Sequence, residues 1–423
     1  MMIGNGSIPR QKMEAEINRL SEEAISAMHL EGLRVLVIIP DTTRHAELPV
    51  FFKALGSILV PQVRSLDYLI ATGTHRPLEM TAILRHVGIT AEEHQANYAK
   101  VKFFNHSHND PSQLRTIGRI SASEMSTLSG GLFFDAVDIT INKRIFEYDH
   151  IIVISPVVPH ETVGFAGGNK YFFPGIGGEE IIETFHWIGA LITNPVVNGV
   201  KDTPVRRVIN KAASFISVPR VCFAFVVDDH AVTSLFIGSP EEAWDKAADV
   251  SSRTHIKYVD HNYRQVLGIA PPMYDDLWVA GKVMYKHEPI ISDGGEVIIY
   301  APHIKELSHT HGKEIRKVGY HVRDYFVRQW ERFFGVSKLI LAHSTNVRGI
   351  GTFDNGVETP RINVTLATSI PEDVCRSVNL GYVDYRAINV TEWKENQNDD
   401  LLVVENAGQL LYRICNNRSL RES

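Results

Sequence analysis

Cysteine is nearly absent: Cys222, Cys375 and Cys415 are the only three in 423 residues, and no two stand in a CxxC spacing. That excludes a disulfide framework and a zinc site built from thiols, and it suits a reducing compartment. Long apolar runs are missing too. No stretch approaches the ~20 residues a membrane helix needs, and the opening MMIGNGSIPRQKMEAEINRL lacks the apolar core of a signal peptide. A cytoplasmic location with no membrane partner is therefore expected. No Lys/Arg run is dense enough to follow a phosphate backbone, and the net charge of −6 argues against nucleic acid as a partner. A small-molecule ligand is the expectation that remains. No G-x-G-x-x-G follows the first strand-like segment, which removes the signature of a nicotinamide dehydrogenase.

What is present reads as an ordinary globular chain, long enough for two or three domains with sizeable cores. EAEINRLSEEAISAMHL has helical spacing, RVLVIIP (34–40) is a short β-branched run, and LPVFFKALGSIL is helical again. SLDYLIATGTHRP and DHIIVISPVVPH repeat the pattern of a strand running into a polar loop, and 221–238 reads as a hairpin. Beyond a connection at THIKYVDHNYRQ, the second half alternates again. GEVIIYAPH, KLILAHS and INVTLAT read as strands, and GYHVRDYFVRQWERFFGV and PEDVCRSVNLG as helices. The fold class expected is α/β: two α/β domains facing each other across a cofactor- and substrate-binding cleft. Residues 1–260 would form the N-terminal domain and 261–423 the C-terminal one.

The polar clusters fall where strands end. PHETVGFAGGNKYFFPG (159–175) sets Gly164, Gly167 and Gly168 around one lysine, Lys170. Glycines permit close backbone approach and can expose N–H groups to an anion. It is not a P-loop, because Asn169-Lys170-Tyr171 stands where Gly-Lys-Ser/Thr is required. Asp41-Thr42-Thr43-Arg44 reads either as a helix cap or as a site where Arg44 offers a fork to a carboxylate or phosphate. Thr72-Gly73-Thr74-His75-Arg76 joins Gly, His and Arg at another strand end. His160 opens the glycine-rich run, and His186, sixteen residues past Lys170, falls on a helical segment. Imidazole there serves as a metal ligand or as a general base. Neighbouring histidines such as His106 and His108 read as solvent-exposed, and Lys282 and Lys286 as helix residues pointing to water.

Taken in order, DTTR, GTHRP, PH followed by GFAGGNK and PGI, a histidine sixteen residues past the lysine, and Lys282 twelve residues before Gly294-Gly295 resemble the nickel-dependent lactate racemase family and its related hydroxyacid racemases and epimerases. The resemblance implies a covalent cofactor on Lys170. This is the nickel pincer nucleotide, a pyridinium-3-thioamide-5-thiocarboxylate mononucleotide made by separate cofactor-biosynthesis enzymes, with its phosphate against Gly164, Gly167 and Gly168. It implies His186 as the single protein ligand to nickel and His75 and His160 as the pair that exchanges the substrate hydroxyl proton. Asp41 would lie near the cofactor, and Arg44 and Lys282 would hold the substrate carboxylate.

The chemistry implied is reversible hydride transfer through a planar 2-keto acid, which avoids a carbanion beside a weakly acidic α-hydrogen. Two departures bear on the substrate. Ala166 stands where the family usually has Ser, and Trp278-Val279 stands where lactate racemases tend to have an aromatic followed by Gln, which places Trp278 at the substrate. The polar residues Tyr285, Lys286, His287 and Glu288, with His309 and His311, suit a polyhydroxylated acid, so the expected substrate is an aldonate such as gluconate or mannonate. The alternatives are a racemase of a simpler aliphatic or aromatic 2-hydroxy acid, lactate included, or a homologue that binds the cofactor without turnover.

Overall fold

The computed structural model describes residues 2–43 and 46–415. The chain divides into two compact units, Met1–Val158, Phe165–Ile182 and Arg206–Thr254 in one, and Pro159–Gly164, Glu183–Val205 and His255–Ser423 in the other. The units interleave along the sequence. Two short stretches ahead of residue 255 already belong to the second.

The first unit is built on a seven-stranded sheet of β1 (Ile3–Asn5), β2 (Arg34–Pro40), β3 (Ser65–Ala71), β4 (Lys102–Asn105), β5 (His150–Pro156), β6 (Arg220–Asp228) and β7 (Ala231–Gly238), in the order β1-β7-β6-β5-β2-β3-β4. Strands β6, β5, β2, β3 and β4 run parallel, and β7 returns from β6 as the expected hairpin. Val35 to Pro40 of β2 are all buried, which is why the segment is apolar without alternation: a central parallel strand is covered on both faces. Helices α1 (Met13–Met28) and α2 (Leu48–Leu59) supply part of that cover, packing Ile17, Leu20, Phe51, Phe52 and Leu55 with Val35, Val37 and Ile39.

Chain order makes β2 the turning point. From β2 the chain adds β3 and then β4 on one side, and later adds β5 on the other. In such sheets the crevice for a ligand opens beyond the carboxyl ends of the two strands that flank the reversal. From the end of β5 the chain enters the glycine-rich segment and then α3 (Glu179–Ile192).

The second unit has a five-stranded, wholly parallel sheet of β8 (Tyr263–Ile269), β9 (Ile291–Ala301), β10 (Asn363–Thr368), β11 (Gly381–Tyr382) and β12 (Leu401–Val404), ordered β11-β10-β9-β8-β12. Here the reversal falls between β8 and β12, and α4 (Lys282–His287) follows β8. The expected α/β class therefore holds in both units. KLILAHS differs from expectation, because it belongs to α5 (Lys338–Arg348) and not to a strand. Leu339 through Val347 are all buried, so no polar face remains to mark the helical period. The single helix expected over 319–336 is instead two short ones, Arg323–Arg328 and Trp330–Phe333, and the expected connection near 256 contains a strand, Ile256–Val259.

Glycine is obligatory at one point of the segment that carries His160. Gly164 sits at φ +86°, and a Cβ there would lie 1.8 Å from the Val200 carbonyl oxygen. Gly356, at φ +80° in the Asn355-Gly356 hairpin turn, has open space instead. Gly164→Ala should cost more than about 3 kcal/mol, combining backbone strain with overlap, and Gly356→Ala about 1 kcal/mol from the left-handed backbone alone. Denaturant unfolding of the two variants measures the difference.

Candidate functional site

Strands β2 and β3 pair residue for residue from Arg34 with Ser65 to Pro40 with Ala71. Their carboxyl ends are level. Asp41 and the 72–76 loop consequently meet, and Asp41 Oδ2 lies 2.5 Å from His75 Nδ1. Asp41 is buried, while the His75 side chain is 41 % exposed, so one end of the pair is anchored and the other reaches solvent. Burial pushes the Asp41 carboxyl upward, but the His75 imidazole and the hydroxyl and amide of Thr43 more than offset it. The result is a carboxyl held well below its usual range, and hence an ionised one. A buried carboxylate at Nδ1 fixes the neutral ring with hydrogen on Nδ1 and a lone pair on Nε2, which is the form of a general base.

Lys170 lies in the turn Gly168–Tyr171, which packs against β2 and β5. Its carbonyl accepts from Gly175 N–H at 3.0 Å, and the Gly175 carbonyl accepts from Gly73 N–H at 3.0 Å. The backbone of Lys170 is thus tied through one residue to the loop of His75. His106 braces the same array: its Nε2 contacts the Gly177 carbonyl at 2.9 Å, the Asn142 amide donates to its Nδ1, and its own carbonyl accepts from Thr72 Oγ1. Expected in solvent, His106 is instead 1 % exposed. Adjacent histidines in a polar loop gave no sign that one of them points inward.

The glycine-rich backbone is held by its own protein. Gly168 N–H donates to Ser155 Oγ at 2.8 Å, Ala166 N–H to the Val158 carbonyl and Lys170 N–H to the Gly167 carbonyl. These amides are not displayed outward; the glycines answer to packing, since a Cβ at Gly167 or Gly168 would come within 2.8 Å of Ser155 and Val157 or of Trp244. Arg206 was not foreseen, yet its guanidinium donates to the carbonyls of Phe165 and Gly167 and lies 4.1 Å from the Trp244 ring centre. Burial pulls it down to about 9. VRRVINK gives no local signal of this, because the partners lie some forty residues away in sequence.

In the second unit, His160 is 5 % exposed. The Thr162 N–H donates to its Nδ1 at 3.1 Å, and Glu161 Oε2 lies 3.3 Å from the same nitrogen. Lys286, expected to face water, is 4 % exposed and donates from Nζ to the Pro159 carbonyl at 2.8 Å. Tyr285, His287 and Glu288 are also buried, with His287 Nδ1 on the Val283 carbonyl and Glu288 accepting from Ile350 N–H. That stretch therefore serves internal contacts, and its polarity is no guide to a polyhydroxylated substrate.

Lys282 stands beside the reversal between β8 and β12. Its amine is 5.0 Å from the Tyr274 ring centre, and Gly408, at φ +94°, brings the chain after β12 against its Cβ. Trp278 stacks on His343 with ring centres 3.8 Å apart, and the His311 ring lies tilted against it at 4.5 Å. His343 interacts electrostatically with His186, which is half-buried on α3. The second unit thus brings Lys286 to the Pro159 carbonyl ahead of His160 and sets Trp278 against His343 and His311, while the first joins Asp41 to His75 and ties the His75 loop to the Lys170 backbone. Arg44 lies outside the described residues.

Among the described residues the grouping able to offer three metal ligands is Asp275, Asp276 and His309. Asp276 already caps the helix Leu277–Ala280 and accepts from His309 N–H.

Three comparisons bear on this arrangement. Residues 8–197 match the lactate racemase N-terminal domain family. The lactate racemase of Thermoanaerobacterium thermosaccharolyticum is 25% identical over 319 residues, covering 70% of this chain and 67% of that one. A crystal structure of a protein from Thermotoga maritima superposes with a TM-score of 0.87 at 32% identity, covering 98% of this chain and 100% of that one. The lactate racemase apoprotein from Thermoanaerobacterium thermosaccharolyticum shares the fold, with a TM-score of 0.68 at 18% identity over 94% of this chain and 93% of that one.

Buried histidines also set the acid limit of stability. Burial holds His106 and His287 down to about 4 and His343 down to about 3. Unfolded imidazoles take up protons near 6.5, so below that pH the unfolded chain binds more protons than the folded one, and stability falls as pH drops from about 6.5 toward 4. Denaturant midpoints should decline across that window. His343→Phe, which keeps a ring against Trp278, should reduce the decline by one histidine's share.

Proposed function

We propose, from the match of residues 8–197 to the lactate racemase N-terminal domain family, that this chain is a member of that family and a nickel pincer nucleotide-dependent isomerase, a racemase or 2-epimerase of an α-hydroxy acid. The observation that supports this reading furthest is the Asp41–His75 pair at the level ends of β2 and β3, tied through Gly175 to the backbone of Lys170. A histidine oriented by a buried carboxylate is what removal of a hydroxyl proton requires.

The residues present suit the family's cofactor. Lys170 is half-buried on a turn whose backbone bonds are already made, and a Cβ at Gly73 would meet nothing within 4 Å, so the chain between Asp41 and His75 borders open space. Lys170 would carry the group through Nζ, and His186 would give one imidazole nitrogen to nickel. When bound, the group held by Lys170 and His186 would supply a reversible hydride acceptor beside the α-carbon. His75 takes the hydroxyl proton of one antipode at Nε2, with Asp41 stabilising the imidazolium that results, and His160 serves the other antipode. Lys282 and Arg44 bind the carboxylate, whose charge persists through the 2-keto acid.

For the substrate we take up the aldonates, gluconate and mannonate, as the leading class, with Trp278 and His311 as the contacts to its chain. The Trp278–His343 stack, with His311 tilted against Trp278, equally favours a second class, aromatic 2-hydroxy acids, through aromatic contact. Loading would come from the cofactor-biosynthesis enzymes. Among the described residues no helix is long and apolar enough to cross a membrane; a cytoplasmic site for that loading is part of the proposal.

Co-expression with a pincer-nucleotide biosynthetic set should add mass at Lys170 and bring nickel into the protein. His75→Ala and His160→Ala should still load, with turnover down by at least about 100-fold. Loaded protein given gluconate should yield its C2 epimer by NMR. Failure with aldonates and success with an aromatic hydroxy acid would select the second class, and full activity in both histidine variants would defeat the acid–base assignment.

A further inference from the structure

His75 and His160 differ in what faces Nδ1. At His75 it is a carboxylate, which can only accept; at His160 it is the Thr162 backbone N–H, which can only donate. We propose that the two histidines rest in opposite neutral tautomers, and that Glu161 is a positioning residue that takes over Nδ1 of His160 when that ring carries its second proton. The assignment takes its functional meaning from the reading of His75 and His160 as the proton-exchanging pair. Its geometry stands without that reading.

Against Asp41, neutral His75 has hydrogen on Nδ1 and a lone pair on Nε2. Against Thr162 N–H, neutral His160 has its lone pair on Nδ1 and hydrogen on Nε2. Glu161 Oε2, 3.3 Å from that same Nδ1, faces a lone pair in this state and gains a hydrogen-bond donor only when Nδ1 is protonated. The backbone cannot easily shift to make the exchange, since buried Lys286 holds the Pro159 carbonyl and Gly199 N–H holds that of Gly164. A small rotation of the His160 ring moves Nδ1 from one partner to the other.

The protons then follow. His75 at rest accepts a hydroxyl proton on Nε2 and becomes an imidazolium held by Asp41. His160 at rest cannot accept there, because Nε2 already bears hydrogen. It must first gain a proton from solvent on Nδ1, facing Glu161. The imidazolium can then give its Nε2 hydrogen to a ketone oxygen, keeping the electron pair on Nε2 and the Nδ1 hydrogen on Glu161. From that second tautomer it can take a hydroxyl proton back. Glu161 thus gives His160 the role that Asp41 gives His75 permanently.

The test uses the full chain labelled with ¹⁵N-histidine and no cofactor, above the ordinary imidazole range. Long-range ¹⁵N–¹H correlations identify the bare nitrogen of each ring, with His75→Gln and His160→Gln assigning the signals. A bare Nε2 in His75 and a bare Nδ1 in His160 are expected; the same tautomer in both overturns the proposal. Glu161 lies against the ring of His160, and Lys286 holds the preceding carbonyl. Glu161→Gln should therefore lower the pH at which His160 takes its second proton by about one unit, Glu161→Asp should restore it, and His75 should not move. An unmoved His160 in Glu161→Gln removes the role given to Glu161. No turnover is needed, so this assignment and the functional reading fail separately.

Discussion

The register between β2 and β3 is the constraint on which the first half of the site depends. Seven consecutive pairs bring two strands to an end at the same height, and a slip of one would carry Asp41 away from the loop that holds His75 and turn every core side chain of β2 to the other face. Because β2 is also where strand order reverses, its end is bordered by the chain leaving β5, which leads directly into the glycine-rich segment. Close packing at the strand ends then does what no single residue could. Gly73, Gly175 and Lys170 form a relay of main-chain hydrogen bonds, with His106 as its buried brace.

The second unit repeats the device with different chemistry. Its parallel sheet also reverses, between β8 and β12, and a lysine, Lys282, stands beside the reversal. Around it the sequence placed several polar side chains that turn out to be structural. Glu288 spans Ile350 and Asn194, and Lys286 anchors Pro159. Polar residues in a short helix look alike in sequence whether they serve a ligand or the main chain, and only burial separates them.

Much of the sheet architecture was legible, because β-branched runs such as RVLVIIP and HIIVISP end in Pro and polar clusters that cannot continue a strand. The motif residues were legible for the same reason: His75, His160 and Lys170 follow strand ends, where the apolar run gives way to a polar cluster. Elements buried on every side were not. Helix α5 lost its period because even His343, Ser344 and Asn346 are inside. Long-range partners were also invisible, since nothing in VRRVINK says that Arg206 meets Phe165 and Gly167, and nothing near His106 names Gly177 or Asn142. Glu161 was within reach, standing next to His160, but adjacency alone does not reveal that it shares Nδ1 with an amide.

The glycine-rich segment satisfies its backbone with Ser155, Val158 and Arg206, all from the polypeptide itself. Its course is thereby written by the polypeptide itself, so a change at Ser155 or Arg206, outside the run, should disturb it as directly as a change within it.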